Sequence, residues 1–256
     1  MFDLSSYSYP YFEEINPGII RMFPGCGTDP QNKVLDVGCG RASLSGEIKS
    51  QGYTVWGIES SKIACEIARK RIDILIECDL TNTCHVSQKI SEERFDYIIF
   101  SDVLEHLYDP LAMLKYYKAF LRPGGRVLIS LPNVCNWVMR LKFMVGIFKY
   151  EDTGVMDRTH VRFFTFRTAQ ILVKEAGLII TKVDSDPYLI RAVLPILKSL
   201  LKKPSKDNAA QQRAIMESPA YKRYQKWVYP IEYRICSLLK GLFAFRIIIV
   251  AEGNGL

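Results

Sequence analysis

The sequence predicts an α/β fold in which a mostly parallel sheet is covered by helices on both faces. Short apolar runs alternate along the chain with segments of helical periodicity, and a glycine-broken turn, "DVGCGRASLS", joins the first strand to the first helix. Strands that are apolar throughout are typical of parallel sheets buried on both sides. With 256 residues, 48% of them hydrophobic, the chain is long enough for one such domain and an appendage.

The predicted strands are recognised as short apolar runs bounded by turn residues. They are 33–38, 53–59, 73–79, 95–102, 126–133, 178–184 and 243–252.

Helices are predicted between these strands from their caps and breakers. They are 42–50, the segment after Ser60 or Ser61 as N-cap, 110–121 and 168–176. Pro110 suits a first helical turn, the Pro-Gly-Gly at 123–125 is expected to end the helix over 110–121, and Gly177 to end the last one.

Composition excludes several classes of protein. The seven cysteines are scattered without a Cys-x-x-Cys pair, which argues against a disulfide framework and a zinc site, so no metal site is predicted. The first residues lack the basic start and apolar stretch of a signal peptide, and no run reaches the ~20 apolar residues that span a bilayer. We therefore expect a cytoplasmic protein.

The chain is expected to divide into four parts: an N-terminal cap (1–30) containing a tyrosine cluster and "NPG", a core (31–187) with a substrate lid (134–165), a basic helical insertion (188–240), and a final core strand (241–256). The insertion holds eleven basic residues against three acidic ones, a net charge of +8. Such a segment suits contact with the inner face of an anionic membrane, a substrate cover or a homodimer contact. Nucleic acid is disfavoured because no RNA-binding module is recognisable.

The glycine turn predicts a ligand site at the carboxyl edge of the sheet. Gly38 and Gly40 lie between a strand and a helix, the arrangement in which backbone N–H groups face the crevice of an open α/β sheet. A dinucleotide would fit this too, but Ser43 replaces the third glycine of that fingerprint. Asp36 places an anion beside the loop, and acids follow later strands at Asp79 and Asp102. We therefore expect a ligand with a cation near the loop, a ribose and an adenine.

Five motifs in order resemble those of class I S-adenosylmethionine-dependent methyltransferases. They are "VLDVGCGRASLS", the acid ending "VWGIE", "ECDL", "FDYIIFSDVLEHLYDP" and "LRPGGRVLISLPN", within a match from about 32 to 184. The resemblance implies a Rossmann-like sheet of seven strands whose last strand is antiparallel. It also implies S-adenosylmethionine as the cofactor.

The resemblance assigns roles to residues by position. Asp36 organises the glycine loop and the cofactor's ammonium, Glu59 binds the ribose hydroxyls, and Asp79 with the Leu80 backbone binds adenine. Ser101 and Asp102 lie under the methionine portion, and His106 shapes the pocket. The full predicted cofactor-binding set is Asp36, Gly38, Cys39, Gly40, Glu59, Ser60, Asp79, Leu80, Ser101, Asp102 and His106.

A second resemblance concerns the lid. "GVMDRTHVRFFTF" (154–166) is similar to a "GLLDRTHLRFF" pattern in bacterial methyltransferases often associated with cell-surface glycan biosynthesis. On that likeness His160 is the predicted catalytic base, and Asp157 orients it or binds substrate. Arg158 and Arg162 are candidate contacts for a phosphate or carboxylate on the acceptor.

These observations predict a methyltransferase acting on a small or lipid-linked acceptor, with a sugar hydroxyl in surface-glycan (polysaccharide) biosynthesis as the first expectation. An oxygen acceptor is favoured over nitrogen or carbon. Two alternatives stay open: a quinone- or lipid-type O-methyltransferase, which "DVLEHLYDP" also resembles, and a cofactor-binding partner subunit without turnover.

Overall fold

The computed structural model describes residues 15–23, 32–187 and 223–253, and within them one sheet organises the chain. Its seven strands lie in the order β3-β2-β1-β4-β5-β7-β6. They are β1 (Lys33–Val37), β2 (Thr54–Glu59), β3 (Ile74–Glu77), β4 (Phe95–Ser101), β5 (Leu121–Pro132), β6 (Leu178–Pro187) and β7 (Ala244–Gly253).

Helices connect these strands and cover the sheet. They are α1 (Pro17–Ile20), α2 (Ser43–Ser50), α3 (Lys62–Ala68), α4 (Thr83–Ile90), α5 (Pro110–Lys118), α6 (Trp137–Met144), α7 (Phe166–Glu175), α8 (Tyr229–Leu238) and α9 (Lys240–Phe243). A single 3₁₀ turn follows β4 at Leu104–His106, and a π-helical turn at Tyr224–Val228 precedes α8. No helix in the described ranges combines the length and the apolarity needed to cross a bilayer.

The pairing of the strands confirms the predicted fold class. β1 to β5 pair in parallel, whereas β7 runs antiparallel to both β5 and β6. The chain moves outward from β1 to β3 and then returns to β4 on the other side of β1. The point at which the order reverses lies between β1 and β4, which is where open α/β sheets bind their ligands.

Alternate residues of the central strands supply the cores on the two faces. In β1, Leu35 and Val37 belong to one apolar cluster and Val34 to the other. In β4, Ile98 and Phe100 face the first cluster and Ile99 the second. Both faces of the sheet are therefore buried, as the continuously apolar strands predict.

The helix predicted over 110–121 is shorter in the structure, and the Pro-Gly-Gly does not end it. α5 begins at Pro110, capped by Asp109, and ends at Lys118. The glycines lie within β5, where the pairing with β4 shifts register between Phe95 and Tyr97. A Cβ on Gly125 would lie 3.0 Å from the carbonyl oxygen of Phe95, so the close approach of the two strands requires glycine there.

The described pieces of the predicted cap and insertion meet at the β6 edge of the sheet. Arg21, just after α1, pairs with Asp186 at 2.8 Å and donates to the hydroxyl of Tyr229 in α8. Tyr233 of α8 donates to Asp184 at 2.6 Å. The tyrosine cluster at 7–11 and most of the insertion (188–222) lie outside the described residues, so the predicted division into four parts stays a prediction.

Candidate active site

The turn after β1 needs its two glycines for conformation and for space. Gly38 has φ +76° and Gly40 φ +54°, values that glycine adopts without strain. A Cβ on Gly38 would lie 2.8 Å from Cγ2 of Val103, in the turn after β4. The Gly38 backbone therefore lies directly against the turn that follows β4, across the point where the strand order reverses.

Cys39, between these glycines, points into the core rather than into the crevice. Its side chain is buried, and a Cβ on Gly57 would lie 2.7 Å from its sulfur. Burial raises the pKa of the Cys39 thiol, with Asp36 and Glu59 adding to the shift. Cys39 can therefore contact a ligand only through its backbone.

Glu59, the last residue of β2, holds the glycine turn and the start of α3 together. Its Oε2 accepts from the Gly40 N–H at 2.9 Å, and its Oε1 accepts from the N–H groups of Ser60 and Ser61 at 2.9 and 2.8 Å. The Ser60 side chain is exposed, while Ser61 caps α3. Three backbone donors compensate for the desolvation of this buried carboxylate.

Asp36 is the buried acid beneath the turn. It is 2% exposed; its Oδ2 accepts from the Ser45 hydroxyl in α2, and its Oδ1 has no hydrogen-bond partner among the described residues. Burial raises its pKa to about 6 against the lowering effect of the Ser45 hydrogen bond, and the nearby Glu59 charge raises it further. An unpartnered buried carboxylate oxygen is a site that a ligand ammonium group would satisfy.

Asp79 and Leu80 follow β3 at the same edge. Asp79 is exposed, and its Oδ1 accepts from the N–H and the hydroxyl of Thr81 at 2.8 and 2.7 Å. The Leu80 carbonyl accepts from the Tyr117 hydroxyl at 2.7 Å. The turn after β3 is thus stabilised by the Asp79 side chain within it and by Tyr117 of α5.

Ser101 and Asp102 end β4 in a connected polar group. Asp102 has φ +54°, and its Oδ1 accepts from Ser130 in β5 at 2.9 Å while its Oδ2 pairs with Arg246 of β7 at 2.8 Å. Asn16, just before α1, donates to the hydroxyls of both Ser101 and Ser130. The N-terminal "NPG" therefore reaches the carboxyl edge of the sheet.

His160 of the lid lies beside His106, in the turn after β4. The two rings meet edge to face with centroids 4.7 Å apart. Nδ1 of His160 lies 3.0 Å from the Val155 carbonyl oxygen, which fixes the proton on Nδ1 and the lone pair on Nε2. Burial lowers the pKa of His160, and burial together with the neighbouring His160 lowers that of His106. The lowered pKa of His160 favours the neutral imidazole, the form that a general base requires.

The Asp157 carboxylate is buried and bonds to Thr159, whose N–H and hydroxyl donate to its Oδ1 at 2.8 and 2.7 Å. The group that orients the His160 ring through Nδ1 is the Val155 carbonyl. Asp157 therefore shapes the chain that carries His160.

Arg158 and Arg162 contact other protein groups at the surface of the lid. Arg158 pairs with Asp152 at 2.7 Å, and both side chains are more than half exposed. Arg162 donates to the Tyr108 carbonyl through Nε and Nη2, at 3.2 and 2.7 Å. Neither contact involves His160.

Glu105 is the residue that sequence reasoning missed. It is 1% exposed, and its Oε1 lies 3.9 Å from Nε2 of His160. Burial, with a contribution from the Asp102 charge, raises its pKa well above the ordinary value. The available signal was an acid within the apolar run Val103–Leu107 after the fourth strand.

A family model described as a methyltransferase domain matches residues 7–183. A SAM-dependent methyltransferase from Archaeoglobus fulgidus superposes with a TM-score of 0.55 over 91% of this chain and 89% of that one, at 18% identity. The likeness to that structure is one of fold.

Two curated relatives are more similar in sequence. The ubiquinone biosynthesis O-methyltransferase of Aeromonas salmonicida is 29% identical over 61% of this chain and 66% of the relative. The protein of the same name from Pasteurella multocida is 38% identical over 40% of this chain and 46% of the relative. The chain thus spans about half to two-thirds of the length of the curated relatives it matches.

Proposed function

This chain belongs to the methyltransferase-domain family of class I S-adenosylmethionine-dependent enzymes, and on that premise we propose that it methylates a hydroxyl oxygen of an apolar, quinone-type precursor. The observation that carries the proposal is the buried His160 imidazole beside the turn after β4, whose Nδ1 lies 3.0 Å from the Val155 carbonyl oxygen and leaves the lone pair on Nε2. An oxygen acceptor gains most from such a group because its hydroxyl must lose a proton as the methyl is transferred.

The carboxyl edge of the sheet fits the cofactor. S-adenosylmethionine supplies a methyl group on a sulfonium, and in-line displacement depends on positioning it against the acceptor. Asp36 would hold its ammonium group, Glu59 its ribose hydroxyls and Asp79 its adenine. Glu59 accepts from the N–H of Gly40, so a ribose hydroxyl bound to its carboxylate would lie against the glycine turn.

We expect cofactor affinity to depend on pH through Asp36. With a pKa near 6 in the unliganded protein, Asp36 is largely protonated at pH 5 and must release its proton to pair with an ammonium group. Affinity should therefore rise about tenfold between pH 5 and pH 7 and level off above that. Calorimetric titration of S-adenosylmethionine at pH 5, 6 and 7 measures this; in Asp36→Asn the dependence should be flat, and an equal slope in that variant would refute the role.

Two observations favour a quinone-type acceptor over a nucleotide sugar. The curated relatives are named for ubiquinone biosynthesis. Arg158 and Arg162, the candidate contacts for an acceptor phosphate, are occupied by Asp152 and by the Tyr108 carbonyl. A sugar hydroxyl of surface glycan stays the second candidate, supported by the likeness of the lid sequence.

An apolar acceptor also agrees with the exposed surface of the described chain. Trp227, Ile231, Ile235 and Leu238 recur at helical spacing along the π-helical turn and α8, and each is between 44% and 81% exposed. Basic residues belong to the same segment, for which contact with an anionic membrane is one of the three alternatives that the sequence leaves open, beside a substrate cover and a homodimer contact. We propose that these four exposed apolar side chains bind the surface of the membrane in which a lipid-linked acceptor is dissolved.

A labelled-methyl assay tests the proposed function. Purified full-length chain is incubated with S-adenosylmethionine carrying a labelled methyl group and with polyprenylated catechols or nucleotide sugars. We expect label on a phenolic oxygen of the catechols. Label on the sugars alone would establish the glycan alternative, and cofactor binding without transfer to any acceptor would establish a partner subunit without turnover.

A further inference from the structure

The helix α1 is a single turn that carries a polar side chain at each end. Asn16 is its N-cap, and the side-chain oxygen accepts from the N–H groups of Gly18 and Ile19. Arg21 is its C-cap. A Cβ on Gly18 would lie 2.7 Å from Cδ1 of Ile248 in β7, and Ile19 is buried in the apolar cluster that contains Ile248. The helix α1 therefore lies directly against the sheet, and its two ends move as one unit.

The Asn16 end of α1 reaches the carboxyl edge of the sheet. Its Nδ2 donates to the Ser130 hydroxyl at 2.9 Å and to the Ser101 hydroxyl at 3.3 Å. Ser130 in turn donates to Oδ1 of Asp102 at 2.9 Å and accepts from the Asp102 N–H at 3.0 Å. Because Asn16 is buried, a shift of α1 would break these hydrogen bonds without replacing them by water. The position of α1 therefore fixes the turn that is proposed to lie under the methionine portion of the cofactor.

The Arg21 end of α1 joins β6 to α8. Its Nη2 donates to Oδ1 of Asp186 in β6 at 2.8 Å, and its Nη1 donates to the hydroxyl of Tyr229 in α8. The guanidinium carbon also lies 4.9 Å from the centroid of the Tyr233 ring, a cation–π contact with the next turn of α8. The planar fork of one arginine thus contacts a strand and a helix at once, which a lysine ammonium cannot do in the same geometry.

Burial makes this junction cooperative. Asp184 and Asp186 are both buried, and Arg21 pairs with them at 3.9 and 2.8 Å. The Tyr233 hydroxyl donates to Asp184 at 2.6 Å, and the Tyr229 hydroxyl donates to Asp186 at 3.3 Å. Moving α8 away would remove both hydroxyls, and moving α1 away would remove the guanidinium from two buried carboxylates. Either change leaves buried charge poorly compensated, so α1 and α8 are expected to keep or lose their positions together.

We propose that Arg21 is a positioning residue that couples α8 to the cofactor site through α1 and Asn16. The connection runs from the α8 tyrosines to the guanidinium, along α1, and from Asn16 to the hydroxyls of Ser101 and Ser130. Such coupling is reciprocal: a cofactor bound over Ser101 stabilises the docked position of α8, and docked α8 raises the affinity for the cofactor. The inference rests on the proposed placement of Ser101 under the methionine portion and is independent of the acceptor.

Hydrogen exchange and calorimetry test the coupling on the purified full chain, with S-adenosylhomocysteine as the probe. In the wild-type protein the probe should slow amide exchange in 229–238, although none of the residues proposed to bind the cofactor lies in α8. Arg21→Lys keeps a positive charge beside the buried carboxylates but cannot reach Tyr229 and Asp186 together. This variant should lose the slowing in 229–238 and bind the probe about fivefold more weakly or worse.

A double-mutant cycle separates positioning from a general loss of stability. Asn16→Ser keeps an N-cap side chain for α1 but is too short to reach both Ser101 and Ser130, so it breaks the connection at its other end. It should weaken binding of the probe at least as much as Arg21→Lys does. In the Asn16→Ser background, Arg21→Lys should weaken binding no further, because the connection is already broken. Additive losses would mean that the two residues act separately and would overturn the inference.

Arg122→Lys is the matched control, since Arg122 also forks onto a carboxylate, that of Asp96 near the amino end of β4. Its affinity for the probe and its exchange in 229–238 should equal those of the wild type. Unchanged affinity with retained slowing in folded Arg21→Lys protein would contradict the inference. If that variant does not fold, the wild-type exchange measurement decides, and an absence of slowing refutes the coupling. Slowing without methyl transfer to any acceptor would refute the proposed function alone, and transfer without slowing would refute the coupling alone.

Discussion

Replacing His160 by alanine is expected to slow methyl transfer about 100-fold or more while leaving S-adenosylmethionine affinity nearly unchanged. The imidazole is held by the Val155 carbonyl with its lone pair on Nε2, so its loss removes the group on which activation of the acceptor hydroxyl depends. Asp36, Glu59 and Asp79, which are proposed to hold the ammonium group, the ribose and the adenine, lie toward the carboxyl ends of β1, β2 and β3, on segments separate from the lid. Single-turnover rates and calorimetric cofactor affinity on the same preparation separate the two effects.

Two controls accompany this measurement. His85→Ala removes an imidazole from α4, and its turnover should equal that of the wild type. A thermal melt shows whether His160→Ala keeps its fold, because the buried ring also packs against His106. Full activity in folded His160→Ala protein would end the proposed role of this side chain as the general base.

Glu59→Ala is expected to weaken cofactor binding by about 1.5–3 kcal/mol, the range for a lost hydrogen bond to a charged group. This corresponds to about 10- to 150-fold in Kd. The carboxylate would bind ribose hydroxyls, and it also accepts from the N–H of Gly40, so its loss removes a ligand contact and releases the glycine turn. Calorimetric titration measures the change in affinity.

Glu77→Ala is the matched control for Glu59→Ala. Glu77 ends β3 directly beside Glu59 in the register of the two strands, but its side chain lies at the surface and pairs with Arg69. Removing it should leave the affinity unchanged. An unaltered Kd in Glu59→Ala, with the fold confirmed by circular dichroism, would refute the ribose-binding role.

Much of the fold could be predicted because its signals are local. The strands β1, β2 and β4 are apolar runs in the sequence. Ser61 is the N-cap of α3, and Asp109 is the N-cap of α5. The Pro-Gly-Gly segment failed as a helix terminator because its conformation is set by a neighbouring strand: Gly125 lies against Phe95 in a register shift. Local turn chemistry cannot report a contact between strands.

The candidate site divides in the same way. The positions of Asp36, Glu59 and Asp79 follow from strand ends, since the carboxyl ends of parallel strands meet at one edge. Glu105 was missed because its neighbour His160 lies in the lid, far away in the sequence, and only the folded chain brings the two side chains together. Similarly, Arg158 has the charge of an anion contact in the sequence, but in the fold it pairs with Asp152.

The sequence by itself determined the alternation of strands and helices, the glycine turn after β1 and the acids at the strand ends, because each depends on residues adjacent in the chain. Only the tertiary structure decided which residues meet. His160 lies beside His106 and Glu105. Asn16 donates a hydrogen bond to Ser101, and Arg246 pairs with Asp102. These contacts join segments distant in sequence. Their energies come from burial and from hydrogen bonds that form only when the sheet is assembled.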